Sequence, residues 1–164
     1  MESVRVCSID SSTRKTGMAL FLDGKLDSYQ LIDLSTNNET LDERINVMGR
    51  NMLLLLSRWK PEIVYIEEPQ GHGQNVKLVN MLCQIVGIVR GWCIDNKTYF
   101  EVVSPSVWRK YLGMVQGGKK RAELKAESIR IVKETYDIDV NDDTADAINI
   151  GNAMINRYAK EKKE

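Results

Sequence analysis

Alternating and continuous apolar runs dominate the first third of the chain and predict three strands. The first run, over residues 4–10, ends in an acid, and a polar turn separates it from a second run over residues 18–22. Asp23-Gly24 is a strong signal for a two-residue hairpin, so residues 25–34 are expected to return as a third strand. The chain is therefore predicted to open with an antiparallel meander.

The remainder of the chain shows apolar residues at helical spacing, interrupted by two further short strands. The helix predicted over residues 75–93 is apolar on more than one side, which indicates burial on more than one side. One side can cover the sheet, and the other can meet either the core or a second subunit. The predicted elements after the meander are a helix over 39–59, a strand over 63–67, the helix over 75–93, a strand over 99–103, and helices over 104–112, 121–136 and 143–158.

This order of elements predicts an α/β fold of the ribonuclease H-like type, with a five-stranded mixed sheet flanked by helices. No linker or internal repeat interrupts it, so residues 1–159 are expected to form a single domain. Residues 160–164 are expected to be a charged, frayed C-terminal tail.

Composition favours a soluble protein of the cytoplasm. Of the 164 residues, 43% are hydrophobic and 28% are charged, which is typical of a globular domain. The three cysteines form no CxxC pair and lie in apolar surroundings, which favours a reducing compartment. The longest apolar run, residues 52–56, is too short to span a bilayer, so no membrane association is expected.

Charge is balanced overall but unevenly distributed. Residues 104–133 carry eight Lys or Arg against two acids, a local charge of 8 − 2 = +6. Residues 134–146 carry six acids and no base. A basic stretch beside an acidic cluster suits a polyanion held next to a metal site, although a solvated helical face is the alternative for any single run.

Four acids stand where regular elements begin or end. Asp10 and Glu67 close two predicted strands, and Asp143 and Asp146 open the last helix three residues apart, on one face. If the two strands are neighbours and the helix crosses their ends, the four carboxylates converge. Carboxylates crowded in this way repel one another unless a cation lies between them, and Mg²⁺ prefers oxygen ligands. The pattern therefore predicts a Mg²⁺ site.

Such a site could hold two Mg²⁺ ions roughly 4 Å apart that clamp a phosphodiester for hydrolysis. Asp10, on the expected central strand, is the candidate to bridge both ions, with Glu67 on one and Asp143 and Asp146 on the other. Each acid has an alternative interpretation on its own: Asp10 as a turn former, Glu67 as a solvated strand end, and Asp143 as a helix-capping acid. Their joint spacing favours the site.

Other residues carry weaker signals. His72 is the only histidine, which excludes a His-Cys or His-His zinc site, and its glycine-rich loop makes solvent exposure or DNA contact the open interpretations. Trp108 and Tyr111, next to Arg109 and Lys110, could stack on bases, although aromatic residues in such positions more often belong to the core.

The chain resembles the RuvC family of Holliday-junction resolvases in four blocks that together span nearly its whole length. The blocks are the first strand and its turn (residues 9–17, ending in Thr16-Gly17), the second acidic motif (Tyr65 to Glu68), the segment from Pro105 to Gly113 followed by Lys119, and the closing Asp143-Thr144-Ala145-Asp146-Ala147. The resemblance separates Glu67 from Glu68, and Asp143 with Asp146 from Asp142.

The resemblance implies a homodimer that binds branched DNA, above all four-way junctions, and nicks two opposed strands with Mg²⁺ to leave 5′-phosphates. It implies two Mg²⁺ ions per site, which Mn²⁺ could replace, and a catalytic role for Lys119. A dimer is expected because two symmetric cuts need two symmetric active sites. The resemblance places its interface on the helix over residues 75–93. The residues expected on DNA are Lys119, Lys120, Arg121, Arg109, Lys110 and His72.

The chain departs from the family pattern in two places, and the second, the loop after Glu67, fits a phage or viral-type member acting in a prokaryotic or phage-infected cytoplasm. Ser11-Ser12 stands where Pro-Gly follows the first acid, and Gln70-Gly71-His72-Gly73 replaces the aromatic residue after the second acid. Two other functions compete with the resolvase. One is a sugar-kinase or actin-like ATPase, which needs two domains, and the other is an inactive junction-binding module, against which the four acids argue.

Overall fold

A computed structural model describes residues 3–71 and 75–163 of the chain. Within those residues the order of strands and helices is the predicted one, and that prediction is confirmed. The elements are β1 (Arg5–Asp10), β2 (Lys15–Leu22), β3 (Lys25–Asp33), α1 (Leu41–Trp59), β4 (Ile63–Glu67), α2 (Val76–Asp95), β5 (Tyr99–Val103), α3 (Pro105–Tyr111), α4 (Arg121–Tyr136) and α5 (Asp142–Glu161).

The five strands form one mixed sheet in the order β3-β2-β1-β4-β5. Strand β1 is central: it pairs antiparallel with β2 and parallel with β4, and β4 pairs parallel with β5. Ile9 lies opposite Ile66 in the β1–β4 register. The acids that follow them, Asp10 and Glu67, therefore end neighbouring parallel strands at the same edge of the sheet.

The predicted hairpin between β2 and β3 is also confirmed. Asp23 and Gly24 have φ angles of 51° and 79°, and Leu22 pairs with Lys25 across the turn. Two consecutive positive φ angles are what a two-residue hairpin turn requires, and a residue with no Cβ adopts the second without strain.

Side chains alternate between the two faces of the sheet and build two cores. On β1, Cys7 and Ile9 join a core with α1 and α2, whereas Val6 joins a second core with α3, α4 and α5. Ser8, which lies between Cys7 and Ile9 in sequence, donates a hydrogen bond of 2.6 Å to the carbonyl oxygen of Ala147 on α5. This alternation, with a period of two residues, makes the sheet the middle of three layers.

Helix α5 approaches the sheet more closely than ordinary side chains would allow. A Cβ built on Gly17 would lie 2.2 Å from the carbonyl oxygen of Asp143, and one on Gly151 would lie 2.1 Å from Cε2 of Phe21. Glycine at these two positions lets the helix lie directly on β2. The first turn of α5 is thereby brought to the sheet edge where β1 ends.

Some element bounds differ from the sequence-based prediction. Strand β2 begins at Lys15 rather than residue 18, because the turn closed by the Ser12 hydroxyl lets Lys15 pair with Asp33. Helix α5 continues to Glu161, so two residues of the predicted tail are helical.

Helix α2 is long and apolar enough, by length and composition alone, to cross a membrane, and 22% of its most apolar window is buried. One such helix is weak support for a membrane span.

Candidate active site

Asp10, at the end of β1, is a buried acid surrounded by other carboxylates. Burial raises its pKa well above the ordinary value, and the negative charges of Glu67, Asp146 and Asp143 raise it further. No described residue donates a hydrogen bond that would stabilise its charged form. Asp10 therefore lies among like charges with both carboxylate oxygens free of protein donors.

Glu67, at the end of β4, lies next to it. Its Oε2 accepts a hydrogen bond of 2.7 Å from the indole nitrogen Nε1 of Trp108 on α3. Burial raises the pKa of Glu67 to about 7, although the Trp108 hydrogen bond and the charge of Arg109 both act to lower it. Desolvation is thus the dominant effect on this carboxyl.

Asp143 and Asp146 project from the first turns of α5. The side chain of Asn141 caps this helix by accepting from the backbone N–H of Thr144 at 3.0 Å, and its Nδ2 donates to Oδ2 of Asp143 at 3.2 Å. Burial raises the pKa of both acids, that of Asp146 to about 6. The hydroxyl of Ser128 on α4 donates to Oδ1 of Asp146, which opposes that rise.

These four carboxylates line one cavity of about 830 Å³ at the edge of the sheet. They come from three elements, β1, β4 and α5, as the sequence pattern predicts for acids that converge from distant parts of the chain. Four basic residues line the same cavity: Arg14, Arg109, Arg121 and Lys125. The cavity therefore offers both carboxylate oxygens for a cation and cationic groups for a phosphate.

The four acids fit a hard divalent cation in chemistry but are not drawn together around one. Among residues 3–71 and 75–163, no three carboxylate, thiol or imidazole groups lie close enough to hold a metal ion as they stand. Burial is the largest cause of the raised pKa of Asp10, and the negative charges of Glu67, Asp146 and Asp143 raise it further. Because the donors are all carboxylate oxygens, the set suits Mg²⁺ or Mn²⁺, and binding requires rearrangement of side chains.

Only some of the basic residues predicted to contact DNA line the cavity. Arg109 and Arg121 line the cavity, whereas Lys110, Lys119 and Lys120 do not. The ammonium group of Lys119 forms an ion pair with Glu127 on α4 instead. His72 lies outside the described residues.

Lys125 and Ser128 are site residues that the sequence analysis missed. Lys125 lines the cavity and forms an ion pair with Asp142, and Ser128 contacts Asp146. A signal for them does exist in the sequence, since Arg121, Lys125 and Ser128 are spaced i, i+4 and i+7 and share one face of α4. Trp108 is fully buried, so the core interpretation of this residue is confirmed, although its indole N–H serves the site.

Several solved structures similar to this one are Holliday-junction resolvases. Thermus thermophilus RuvC, solved with a Holliday-junction substrate, gives a TM-score of 0.75 at 20% identity and covers 96% of each chain. The chain has the RuvC fold. Fowlpox virus resolvase, solved with junction DNA, gives 0.63 at 19% identity over 94% of this chain and 99% of its own. The yeast mitochondrial resolvase Ydc2 gives 0.63 at 17% identity over 99% and 82%.

The RuvC fold confirms the predicted ribonuclease H-like architecture along nearly the whole chain. No protein-family model matches the sequence, and no curated protein matches it in sequence. At these sequence identities the similarity is one of backbone fold. The assignment of site residues therefore depends on the geometry of this chain.

Proposed function

We propose that the protein is a structure-selective DNA endonuclease that resolves four-way junctions, and acts on other branched DNA, by hydrolysing phosphodiester bonds to leave 5′-phosphates. The observation that carries the proposal is the cavity lined by Asp10, Glu67, Asp143 and Asp146. In the structurally similar resolvases from Thermus thermophilus and fowlpox virus, the same fold is solved on junction DNA.

Asp10, Glu67, Asp143 and Asp146 are proposed to hold two Mg²⁺ ions, for which Mn²⁺ can substitute. Bound there, such ions would activate the attacking water and stabilise the departing 3′-oxygen. Asp10 ends the central strand next to the strand that carries Glu67, which supports its proposed role as a ligand that both ions would share. Burial and the neighbouring negative charges raise its pKa, and a bound cation would oppose that rise by stabilising the charged carboxylate.

Arg109, Arg121 and Lys125 are proposed to grip the scissile phosphate and its neighbours. All three line the acidic cavity, so their positive charges face the place where a phosphodiester would lie. The resemblance assigns a catalytic role to Lys119, but Lys119 does not line the cavity, whereas Lys125 does. Lys125 is better placed to offset charge on the phosphate as the bond breaks.

Homodimerisation through α2 is part of the proposal. Val76 and Ile94, near the two ends of this helix, are 65% and 74% exposed, although both are large apolar residues. Gly87 and Gly91, between them, face open space. A second copy of the helix would cover this exposed stripe, including its two large apolar residues, and give the two active sites that paired incisions need.

A nicking assay on a labelled four-way junction with Mg²⁺ tests the function. Asp10→Asn and Asp146→Asn should bind the junction and fail to cut it, whereas Glu68→Gln should cut like the wild type. Undiminished cleavage by either aspartate variant would refute the assignment of the site. Binding without cleavage by the wild-type chain would favour an inactive junction-binding module, and hydrolysis of ATP in the absence of DNA would favour the ATPase.

A further inference from the structure

Two of the four candidate metal ligands are held by buried donors from helices that carry no ligand themselves. Glu67 on β4 accepts from Trp108 on α3, and Asp146 on α5 accepts from Ser128 on α4. Both donors are fully buried, with 0% of their surface exposed. The other two acids differ, since among the described residues only Asn141, in the capping turn, donates to Asp143, and none donates to Asp10.

The chemistry of the Trp108 donor fixes its direction. An indole N–H can donate but cannot accept, so the 2.7 Å contact assigns Oε2 of Glu67 as the acceptor without ambiguity. The other oxygen, Oε1, is then left for a cation. Because the indole ring is packed in the core, the carboxylate cannot rotate away without leaving a buried donor unpaired.

The Ser128 donor is oriented by a second buried residue, Asn149. The Nδ2 of Asn149 donates to the hydroxyl of Ser128 at 2.8 Å and to the backbone carbonyl of Ser128 at 3.0 Å. A carbonyl can only accept, so Asn149 must present its amino group, and the single hydroxyl proton of Ser128 is directed to Oδ1 of Asp146. The result is a one-way chain from Asn149 through Ser128 to the ligand.

We propose that Trp108 and Ser128 are positioning residues, an inference that rests on the proposed function. Each holds one oxygen of a carboxylate and so leaves the second oxygen of that carboxylate oriented for the metal. The two donors lie beside the cationic groups of the same cavity: Arg109 follows Trp108 in sequence, and Lys125 lies one helical turn before Ser128. The helices that contribute those cationic groups thus also set the direction of the ligands.

The test compares two pairs of substitutions in the full chain, with Mn²⁺ as the probe. Trp108→Phe removes the donor on Glu67, and its control, Trp92→Phe, removes the indole donor of a 3.2 Å bond to Ser57 far from the acids. Ser128→Ala removes the donor on Asp146, and its control, Thr98→Val, removes a hydroxyl that donates to the backbone carbonyl of Pro61, outside the cavity. Mn²⁺ affinity is measured by titration without DNA, and thermal unfolding is measured without metal.

Trp108→Phe and Ser128→Ala should each weaken Mn²⁺ binding by about 10-fold or more, the usual effect of losing an outer partner of a metal ligand. The two controls should lose thermal stability yet keep wild-type affinity. Unchanged affinity in both site variants, or an equal loss in the controls, would overturn the proposal. If Trp108→Phe does not fold, the comparison of Ser128→Ala with Thr98→Val still tests the proposal.

The same titration separates this inference from the proposed function. A wild-type chain that binds Mn²⁺ but cuts no junction would refute the nuclease, while the affinity comparison would still decide whether Trp108 and Ser128 position the ligands. A wild-type chain that binds no Mn²⁺ would overturn both.

Discussion

Lys125 on α4 forms an ion pair with Asp142, the residue directly before the candidate metal ligand Asp143. Burial raises the pKa of Asp142, but the hydrogen bond and charge of Lys125 more than offset that effect and leave it below its ordinary value. The hydrogen bond to Asp142 likewise raises the pKa of Lys125, so the ammonium group stays charged at the mouth of the cavity. A phosphate entering the cavity would meet this charge beside the acids.

Replacing Lys125 should therefore harm cleavage more than replacing Lys119. We expect Lys125→Met to lower the single-turnover rate on a four-way junction by about 10-fold or more, because a cation facing the reacting phosphate is lost. The matched variant Lys119→Met breaks the ion pair with Glu127 and should stay within about 3-fold of wild type. A larger loss in Lys119→Met than in Lys125→Met would restore the role that the resemblance assigns to Lys119.

The stability of the metal-free protein should fall as the pH rises towards neutrality. Burial raises the pKa of Glu67 from 4.5 to about 7, so the folded chain keeps a proton that the unfolded chain releases. The free energy of unfolding then decreases between those two pKa values, by roughly 3 kcal/mol from this residue. Denaturant titrations in the presence of a chelator, at several pH values, would measure the slope.

Glu67→Gln should flatten that dependence, because the amide keeps an oxygen acceptor for the Trp108 indole and cannot ionise. The expected result is a gain in stability above about pH 7 and little change at about pH 5. Glu68→Gln is the matched control and should keep the wild-type slope. Equal slopes in wild type and Glu67→Gln would mean that the proton is not held by Glu67.

The order of the elements could be predicted because it depends on local patterns that each segment carries by itself. Asp23-Gly24 specifies its hairpin, and the acids at the ends of β1 and β4 converge once those strands pair in parallel. Convergence followed from the expected topology, since Asp10 and Glu67 each end a strand at the same edge.

The support around the acids could not be predicted, because it depends on tertiary placement. The hydrogen bond from Trp108 to Glu67 joins residues 41 positions apart, and the sequence indicates only that the tryptophan is buried. Lys119 and Lys125 belong to one basic run, and only the orientation of α4 on the site decides which ammonium group faces the acids. Composition does not indicate how α4 is oriented on the site. Helical spacing indicates only which residues of α4 share a face.

Gly17 should be essential to the geometry of the site, because it lies opposite Asp10 on β2 and beneath the backbone of Asp143. A methyl group there would lie 2.2 Å from a backbone oxygen, so Gly17→Ala must push the first turn of α5 away from the sheet. We expect a loss of roughly 1–3 kcal/mol in the free energy of unfolding and a large loss of Mn²⁺ affinity.

The control for this substitution is Gly117→Ala. Gly117 lies in the loop before α4, where an added Cβ meets nothing within 4 Å, so stability and Mn²⁺ affinity should stay near wild type. Chemical denaturation and Mn²⁺ titration measure the two effects. Wild-type affinity in Gly17→Ala would mean that the position of α5 does not govern the ligand set.

A charged residue in the middle of α2 should prevent the proposed dimer without unfolding the subunit. Gly87 lies within the exposed stripe between Val76 and Ile94, and an added Cβ there meets nothing within 4 Å in the single chain. Gly87→Glu should therefore fold, keep its Mn²⁺ affinity and sediment as a monomer at concentrations where the wild type is a dimer. The cause is desolvation of two like charges brought together across a two-fold axis.

Gly117→Glu places the same side chain at another open glycine, in the loop before α4, and should remain dimeric. Sedimentation velocity over a range of protein concentrations gives the dissociation constants. On a four-way junction, monomeric Gly87→Glu should lose paired incision more than single nicking, because each active site stays intact while the partner site is missing. A dimer of wild-type affinity in Gly87→Glu would place the interface on a surface other than α2.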